Sequence, residues 1–197
     1  MHPESLKPLG TVKTQIRAQV RARLHQIPPR ERQIASAQSC DLLRSRIEWR
    51  SARSVLFYAP LTDELDLSPL WEHALSAGKT VALPRFNQEA DDYSAYAVSS
   101  LTDPLAQGKF GIPEPGADSS PIPLNQLDLI MVPGVAFDPS GRRIGRGRGY
   151  YDRILAKVRG TKCGVAYEQQ ILAEVPVEPH DVHLDCLLTP MRWICCG

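Results

Sequence analysis

The residues best suited to chemistry stand in one short stretch, where four glycines are interleaved with four arginines. They are Gly141, Arg142, Arg143, Gly145, Arg146, Gly147, Arg148 and Gly149. Because glycine has no Cβ, backbone N–H groups can come close to a ligand there. Guanidinium groups match phosphate oxygens two at a time. The stretch therefore predicts a loop that binds an anion, and polyphosphate is the anion that fits it best.

Two other interpretations of this loop have to be weighed. It could be a flexible solvated segment, or an arginine-glycine segment that contacts nucleic acid. Its short length and its place between a strand and a helix count against free flexibility, and the lack of an aromatic among the glycines counts against nucleic acid. The spacing also differs from the Walker A and dinucleotide-binding motifs. Phosphate binding is therefore the favoured interpretation.

Two elements flank the loop and are expected to position it. Residues 128–132 are a short apolar run, which is typical of a buried strand. Residues 150–158 carry Ile154 and Leu155 at positions that suit the buried face of a helix. The start of a helix offers unpaired N–H donors and the positive end of the helix dipole. A phosphate is thus expected where the loop runs into this helix.

The rest of the chain alternates helices with strands. Apolar residues at helical spacing predict helices over residues 11–27, 29–47 and 68–77. Short apolar runs predict strands over residues 54–59, 80–85, 162–167, 184–189 and 193–196, with an edge strand over 93–98.

This order of elements is typical of a parallel sheet covered by helices. The predicted fold is α/β, a three-layer α/β/α sandwich with a mostly parallel sheet. Ligands of such sheets collect beyond the carboxyl ends of the strands. The acidic loop over 61–66, Arg85 and the glycine-arginine loop are therefore expected on one rim.

Length and composition limit the function classes. The 197 residues suit a single domain over 11–197, preceded by a flexible tail over 1–10. The net charge of +1 predicts no general attraction to nucleic acid or membranes, and no apolar run approaches the length of a membrane span. The five scattered cysteines lack a Cys-x-x-Cys pair, which disfavours disulfides and structural zinc. A cytoplasmic protein is expected.

Six segments, taken in order, resemble one protein family. They are residues 13–17, 58–66, 111–115, 132–153, 166–170 and 175–181. The most specific is 132–153, which contains the glycine-arginine loop followed by Tyr150, Tyr151 and Asp152. The family is that of the 5-formyltetrahydrofolate cyclo-ligases, or 5,10-methenyltetrahydrofolate synthetases. The resemblance covers residues 11 to 190 and implies a fold like that of the CoA-transferase and ribose-phosphate isomerase group.

The resemblance implies an ATP- and Mg²⁺-dependent ring closure. The formyl oxygen of 5-formyltetrahydrofolate attacks the γ-phosphate of ATP, N10 then closes on the activated carbon, and phosphate leaves. The products are 5,10-methenyltetrahydrofolate, ADP and phosphate. The residues agree with this chemistry, because the sequence offers no nucleophile elbow and phosphoryl transfer needs mainly positioning and charge neutralisation. A monomer with small-molecule substrates and no nucleic-acid partner is expected.

The resemblance also implies roles for individual residues. Arg146 and Lys13 would be catalytic, and Asp152 and Asp181 would hold Mg²⁺. The ATP-binding positions would be Lys13, Thr14, Gln15, Ile16, Arg17, Arg143, Ile144, Gly145, Arg146, Gly147, Arg148, Gly149, Tyr150 and Tyr151. The folate-binding positions would be Tyr58, Glu64, Arg146, Gly147, Arg148, Gly149 and Tyr150.

Taken alone, several of these residues have simpler explanations. Lys13 and Arg17 suit the solvated face of a basic helix, and Asp152 suits the first turn of a helix. The resemblance reverses both preferences, while it leaves open whether Glu114 binds folate or braces a turn. Two competing hypotheses are a non-catalytic folate- or nucleotide-binding paralogue and an RNA-binding module.

Overall fold

A computed structural model describes residues 8–100, 105–179 and 181–197 of the chain. Most of the predicted N-terminal tail lies outside these residues, and the first helix begins at Leu9. The helices are α1 (Leu9–His25), α2 (Pro29–Ser45), α3 (Ile47–Ser51), α4 (Pro69–Ser76) and α5 (Tyr150–Leu155). One-turn 3-10 helices span Lys109–Gly111, Leu124–Gln126 and Glu168–Gln170.

The strands form one large sheet and two small pairs. They are β1 (Ser54–Leu56), β2 (Thr80–Asn87), β3 (Asp92–Val98), β4 (Leu105–Gln107), β5 (Pro113–Pro115), β6 (Pro121–Ile122), β7 (Leu129–Val132), β8 (Ala136–Phe137), β9 (Arg143–Ile144), β10 (Thr161–Val165), β11 (Cys186–Leu188) and β12 (Trp193–Cys195). Within the described residues, eight strands pair in the order β12-β11-β10-β7-β1-β2-β3-β6. The five from β11 to β2 are parallel, and the pairs outside them are antiparallel.

Alternating side chains of the sheet feed two cores. In β1 and just after it, Val55 and Phe57 belong to one core and Leu56 to the other. The first core takes buried residues of α1, α2, α3 and α4, whereas the second takes Ile154 and Leu155 of α5. Successive residues of a strand point to opposite faces, so helices cover both faces of this sheet. The prediction of a three-layer sandwich with a mostly parallel sheet is confirmed.

Three local predictions are corrected by the structure. The second helix ends at Ser45, where Arg46 takes an extended conformation and separates it from α3. The strand over 93–98 is not the edge of the sheet, because β6 pairs with its outer side. The glycine-arginine stretch is not entirely a loop, since β9 pairs with β8 as a hairpin.

Candidate active site

A cavity of about 270 Å³ opens beyond the carboxyl ends of β1 and β7. Tyr58 and Ala59, which follow β1, and Pro133 and Gly134, which follow β7, lie in its wall. The backbone there leaves the sheet, so side chains and N–H groups can face a ligand. Arg85 is not in this wall; it donates to the carbonyl of Gly116 at 2.6 Å.

Most residues expected at the site line this cavity. They are Lys13, Arg17, Tyr58, Glu64, Arg143, Ile144, Gly145, Arg146, Gly147, Arg148, Gly149, Tyr150, Tyr151, Asp152 and Asp181. The structure does not bring Thr14, Gln15 or Ile16 there. Thr14 donates to the Gly10 carbonyl, Gln15 is exposed, and Ile16 packs against the first core. These three lie on other faces of α1 because neighbouring helix positions point about 100° apart.

The glycine-arginine loop is tied to α1. The Nε of Arg17 donates to the carbonyl of Gly145 at 2.9 Å, and the Arg17 guanidinium lies 3.7 Å from where a Cβ of Gly147 would stand. Gly147 and Gly149 have φ of 100° and 68°, which side-chain-bearing residues rarely adopt. Since α5 has only six residues, its dipole is short and the guanidinium groups must supply most of the positive charge.

Arg143 and Arg146 occupy different environments in the same loop. Arg143 lies in β9 with 3% of its side chain exposed, and its Nη2 is 2.6 Å from Oδ1 of Asp152. Arg146 is about one-third exposed; its Nη2 lies 2.5 Å from Oδ1 of Asp63 and 3.0 Å from Oε1 of Glu64. Burial lowers the pKa of Arg146, but Glu64 and Asp63 outweigh it, so the net shift is upward.

Glu64 is held from two sides. Its Oε2 accepts the backbone N–H of Leu61 at 3.0 Å, while its Oε1 accepts from Arg146. Burial raises the pKa of Glu64, and the Leu61 and Arg146 hydrogen bonds reduce that rise. Tyr58 lines the same cavity and donates to the Leu65 carbonyl at 2.6 Å. The pKa of Tyr58 is also raised, first by burial and second by the charge of Glu64, so its hydroxyl stays neutral.

Lys13 closes the cavity from α1. Its Nζ lies 2.7 Å from Oδ2 of Asp181 and 2.9 Å from Oε2 of Glu178. Burial lowers the pKa of Lys13, but the hydrogen bonds to Asp181 and Glu178 raise it by more. Glu178 was not predicted from the sequence, and it lies 165 residues from Lys13 in the chain. Its signal was only an acid three positions before Asp181.

Aromatic side chains form a separate group at the cavity. The rings of Phe86, Tyr93 and Tyr150 pack edge to face, with centroids 5.1 to 5.7 Å apart. Tyr93 and Tyr150 line the cavity. Lys109 lies 3.4 Å above the Phe86 ring and donates to the Tyr150 hydroxyl at 3.0 Å. Glu114 is buried and accepts the Phe86 N–H at 3.1 Å, so it braces this group.

A family model described as the 5-formyltetrahydrofolate cyclo-ligase family matches residues 10–190. The chain belongs to this family. It is 30% identical to the 5-formyltetrahydrofolate cyclo-ligase of Escherichia coli K12, over 88% of this chain and 97% of that protein. It is 31% identical to a probable 5-formyltetrahydrofolate cyclo-ligase of Schizosaccharomyces pombe, over 92% and 97% of the two chains.

A solved structure shares the fold of this cyclo-ligase family member. The 5,10-methenyltetrahydrofolate synthetase of Aquifex aeolicus superposes with a TM-score of 0.84 at 35% identity, covering 94% of this chain and 93% of that one. The prediction of family, enzyme class and α/β fold is thereby confirmed. The likeness to the CoA-transferase group stays a prediction. None of the helices in the described part of the chain is long and apolar enough to cross a membrane.

The Mg²⁺ expected for this cyclo-ligase requires carboxylate ligands at the cavity. Asp152 and Asp181 both line the cavity. Residues 8–100, 105–179 and 181–197 contain no group of three His, Cys, Asp or Glu side chains arranged to hold a metal. Mg²⁺ commonly binds through one or two carboxylates, waters and substrate phosphates. The donor set therefore fits a cation that enters with a nucleotide. His180, which belongs to the resembling segment 175–181, lies outside the described residues.

Proposed function

We propose that this cyclo-ligase converts 5-formyltetrahydrofolate to 5,10-methenyltetrahydrofolate, using ATP with Mg²⁺. The observation that carries the proposal is one cavity that joins the cations of α1 and the glycine-arginine loop to Tyr58 and Glu64. The cations suit a polyphosphate, and Tyr58 and Glu64 suit a heterocycle with N–H donors. Both substrates must meet in one place if a phosphoryl group is to pass between them.

The chemistry needs activation rather than an enzyme nucleophile. An amide-like formyl oxygen attacks the γ-phosphorus of ATP, ADP leaves, and the oxygen becomes part of a phosphate leaving group. N10 then attacks the formyl carbon, the C–O bond breaks, phosphate departs, and the N10 proton is lost. Charge neutralisation and positioning carry most of the catalysis in such transfers. A bound divalent cation would offset part of the phosphate charge.

The side chains divide this work by position. Lys13, Arg17 and Arg146 line the cavity and supply positive charge to the transferred group and the leaving ADP. Glu64 fixes the guanidinium of Arg146 through its Oε1, which reduces the motion left to be frozen on binding. Tyr58 and Tyr151, both with pKa values raised first by burial, present neutral rings to the ligand.

The test is formation of the methenyl chromophore after protein, ATP, Mg²⁺ and 5-formyltetrahydrofolate are mixed. We expect absorbance to rise only when all four are present, with one ADP formed per methenyl product. Omitting ATP, or chelating the cation, serves as the control. Absence of an ATP-dependent product would overturn the proposed function.

The compartment and assembly state are also proposals. All five cysteines are free thiols, and Cys40, Cys163 and Cys186 are buried. This arrangement supports a reducing cytoplasm, where thiols persist. We propose a monomer, and light scattering at micromolar concentration checks it.

A further inference from the structure

Cations proposed to bind phosphate are paired with carboxylates at the cavity. Lys13 pairs with Asp181 and Glu178, and Arg143 pairs with Asp152. Both carboxylates expected to hold the divalent cation are thus occupied by side-chain cations. A phosphate that binds Lys13 or Arg143 therefore has to take that cation from a carboxylate.

Because the ion pair of Lys13 with Asp181 is largely buried, breaking it costs free energy when a nucleotide binds without a divalent cation. The side chains of Lys13 and Asp181 are only 10% and 11% exposed, so water screens their charges poorly. If Lys13 turned to a phosphate, Asp181 and Glu178 would lose the ion pairs with Lys13 and would lie close to the polyphosphate. Like charges at close range oppose such binding. A divalent cation that binds Asp181 at the same time removes most of this penalty.

The cation alone faces the opposite obstacle. Oδ2 of Asp181 already accepts from Lys13 and from the Glu178 N–H at 2.8 Å. The described residues contain no three-residue ligand group that would replace those contacts. Phosphate oxygens are the missing ligands, and they arrive only with nucleotide.

We propose that Glu178 is a positioning residue that makes ATP binding depend on the divalent cation. It holds Lys13 Nζ beside Asp181 and competes with phosphate for that ammonium group. The inference rests on the proposed function, because it assumes that ATP enters this cavity. Glu178 suits a substitution test, since its side chain is 43% exposed and its backbone N–H, rather than its carboxylate, supports Asp181.

The experiment is calorimetric titration with ATP, in Mg²⁺ and in chelator, without folate so that no turnover occurs. The readout is the ratio of the Kd for ATP in chelator to that in Mg²⁺. In the wild type we expect a large ratio. In Glu178→Gln, metal-free ATP should bind about fivefold more tightly and the ratio should fall accordingly, which is the scale of one partly screened charge. Glu178→Asp should restore most of the ratio.

The matched control is Glu174→Gln, which removes an exposed carboxylate paired with Arg142 rather than with a cavity cation. Its ratio should equal that of the wild type. A ratio unchanged in Glu178→Gln would overturn the inference. If Glu178→Gln does not fold, wild-type protein titrated with Mg²⁺ alone decides: binding as tight as in the presence of ATP would overturn it. Turnover by the wild type with either of these results would leave the proposed function standing.

Discussion

The cavity has two walls that are built in different ways. The charged wall consists of Lys13, Arg143 and Arg146 with their carboxylate partners, and it is held by ion pairs. The aromatic wall includes Tyr93 and Tyr150, which pack on Phe86 and on each other. Ion pairs can change partners when a charged ligand arrives, whereas ring packing keeps one shape. The charged wall must therefore rearrange when an anion binds, whereas the aromatic wall is largely preformed.

The largest expected effect comes from removing a cation of the charged wall. Arg146→Ala should lower kcat/KM about 1,000-fold, because one preorganised group aimed at developing charge is worth that much. Arg146→Lys should recover only part of it, since a point charge replaces a fork. Steady-state kinetics and thermal unfolding measure both. Arg44→Ala, at an exposed surface pair, is the control. Unfolding of Arg146→Ala would contradict the assigned role.

A substitution of Asp152 should affect both the Mg²⁺ requirement and the ion pair with Arg143, and the two effects can be measured separately. Asp152→Asn should raise the Mg²⁺ concentration for half-maximal activity by at least about tenfold. It should also lower the free energy of unfolding by about 1–3 kcal/mol, because buried Arg143 loses its charged partner. Asp185→Asn, on a half-exposed side chain, is the control for charge removal. An unchanged Mg²⁺ requirement would count against Asp152 as a ligand.

A change in the aromatic wall should affect the KM for 5-formyltetrahydrofolate more than the KM for ATP. Tyr150→Ala removes two edge-to-face contacts, and each such pair contributes about 0.5–1.5 kcal/mol. We expect the KM for 5-formyltetrahydrofolate to rise about tenfold, with a smaller change in the KM for ATP. Tyr150→Phe keeps the ring and should stay near the wild type. Equal losses for both substrates would show that the two walls are not separable.

The smallest effect concerns pH and stability. The pKa of Lys13 is raised above its ordinary 10.5, despite the lowering by burial, because of Asp181 and Glu178. A raised lysine pKa contributes stability below the ordinary value, and this is lost as pH rises through the folded value. Urea unfolding of wild type and Lys13→Met should thus differ by about 1 kcal/mol at pH 8. That difference should shrink above pH 10.5. A constant difference would contradict the pairing.

Local patterns made much of the fold and part of the site predictable. Short apolar runs marked the strands that became β2, β7 and β10, and the glycine-arginine stretch is short enough to read as one unit. Glu178 was missed because its partner, Lys13, is 165 residues away. A carboxylate in a loop has no periodicity, so nothing local distinguishes it from a solvated acid. Thr14 and Gln15 were predicted because they follow Lys13 directly in the sequence motif. Consecutive positions of a helix point in different directions, so these two do not share the face of Lys13.

The amino-acid sequence alone indicated the family, through six segments that resemble it, and also the alternation of strands and helices and the loop that brings arginines to a strand end. The alternation and the loop follow from local spacing, since side-chain periodicity and backbone freedom act over a few residues. Only the tertiary structure decided that Arg143 is buried against Asp152 while Arg146 reaches Asp63 and Glu64. The energy of an ion pair depends on the distance between its charges in space, and the order of strands in the sheet sets that distance.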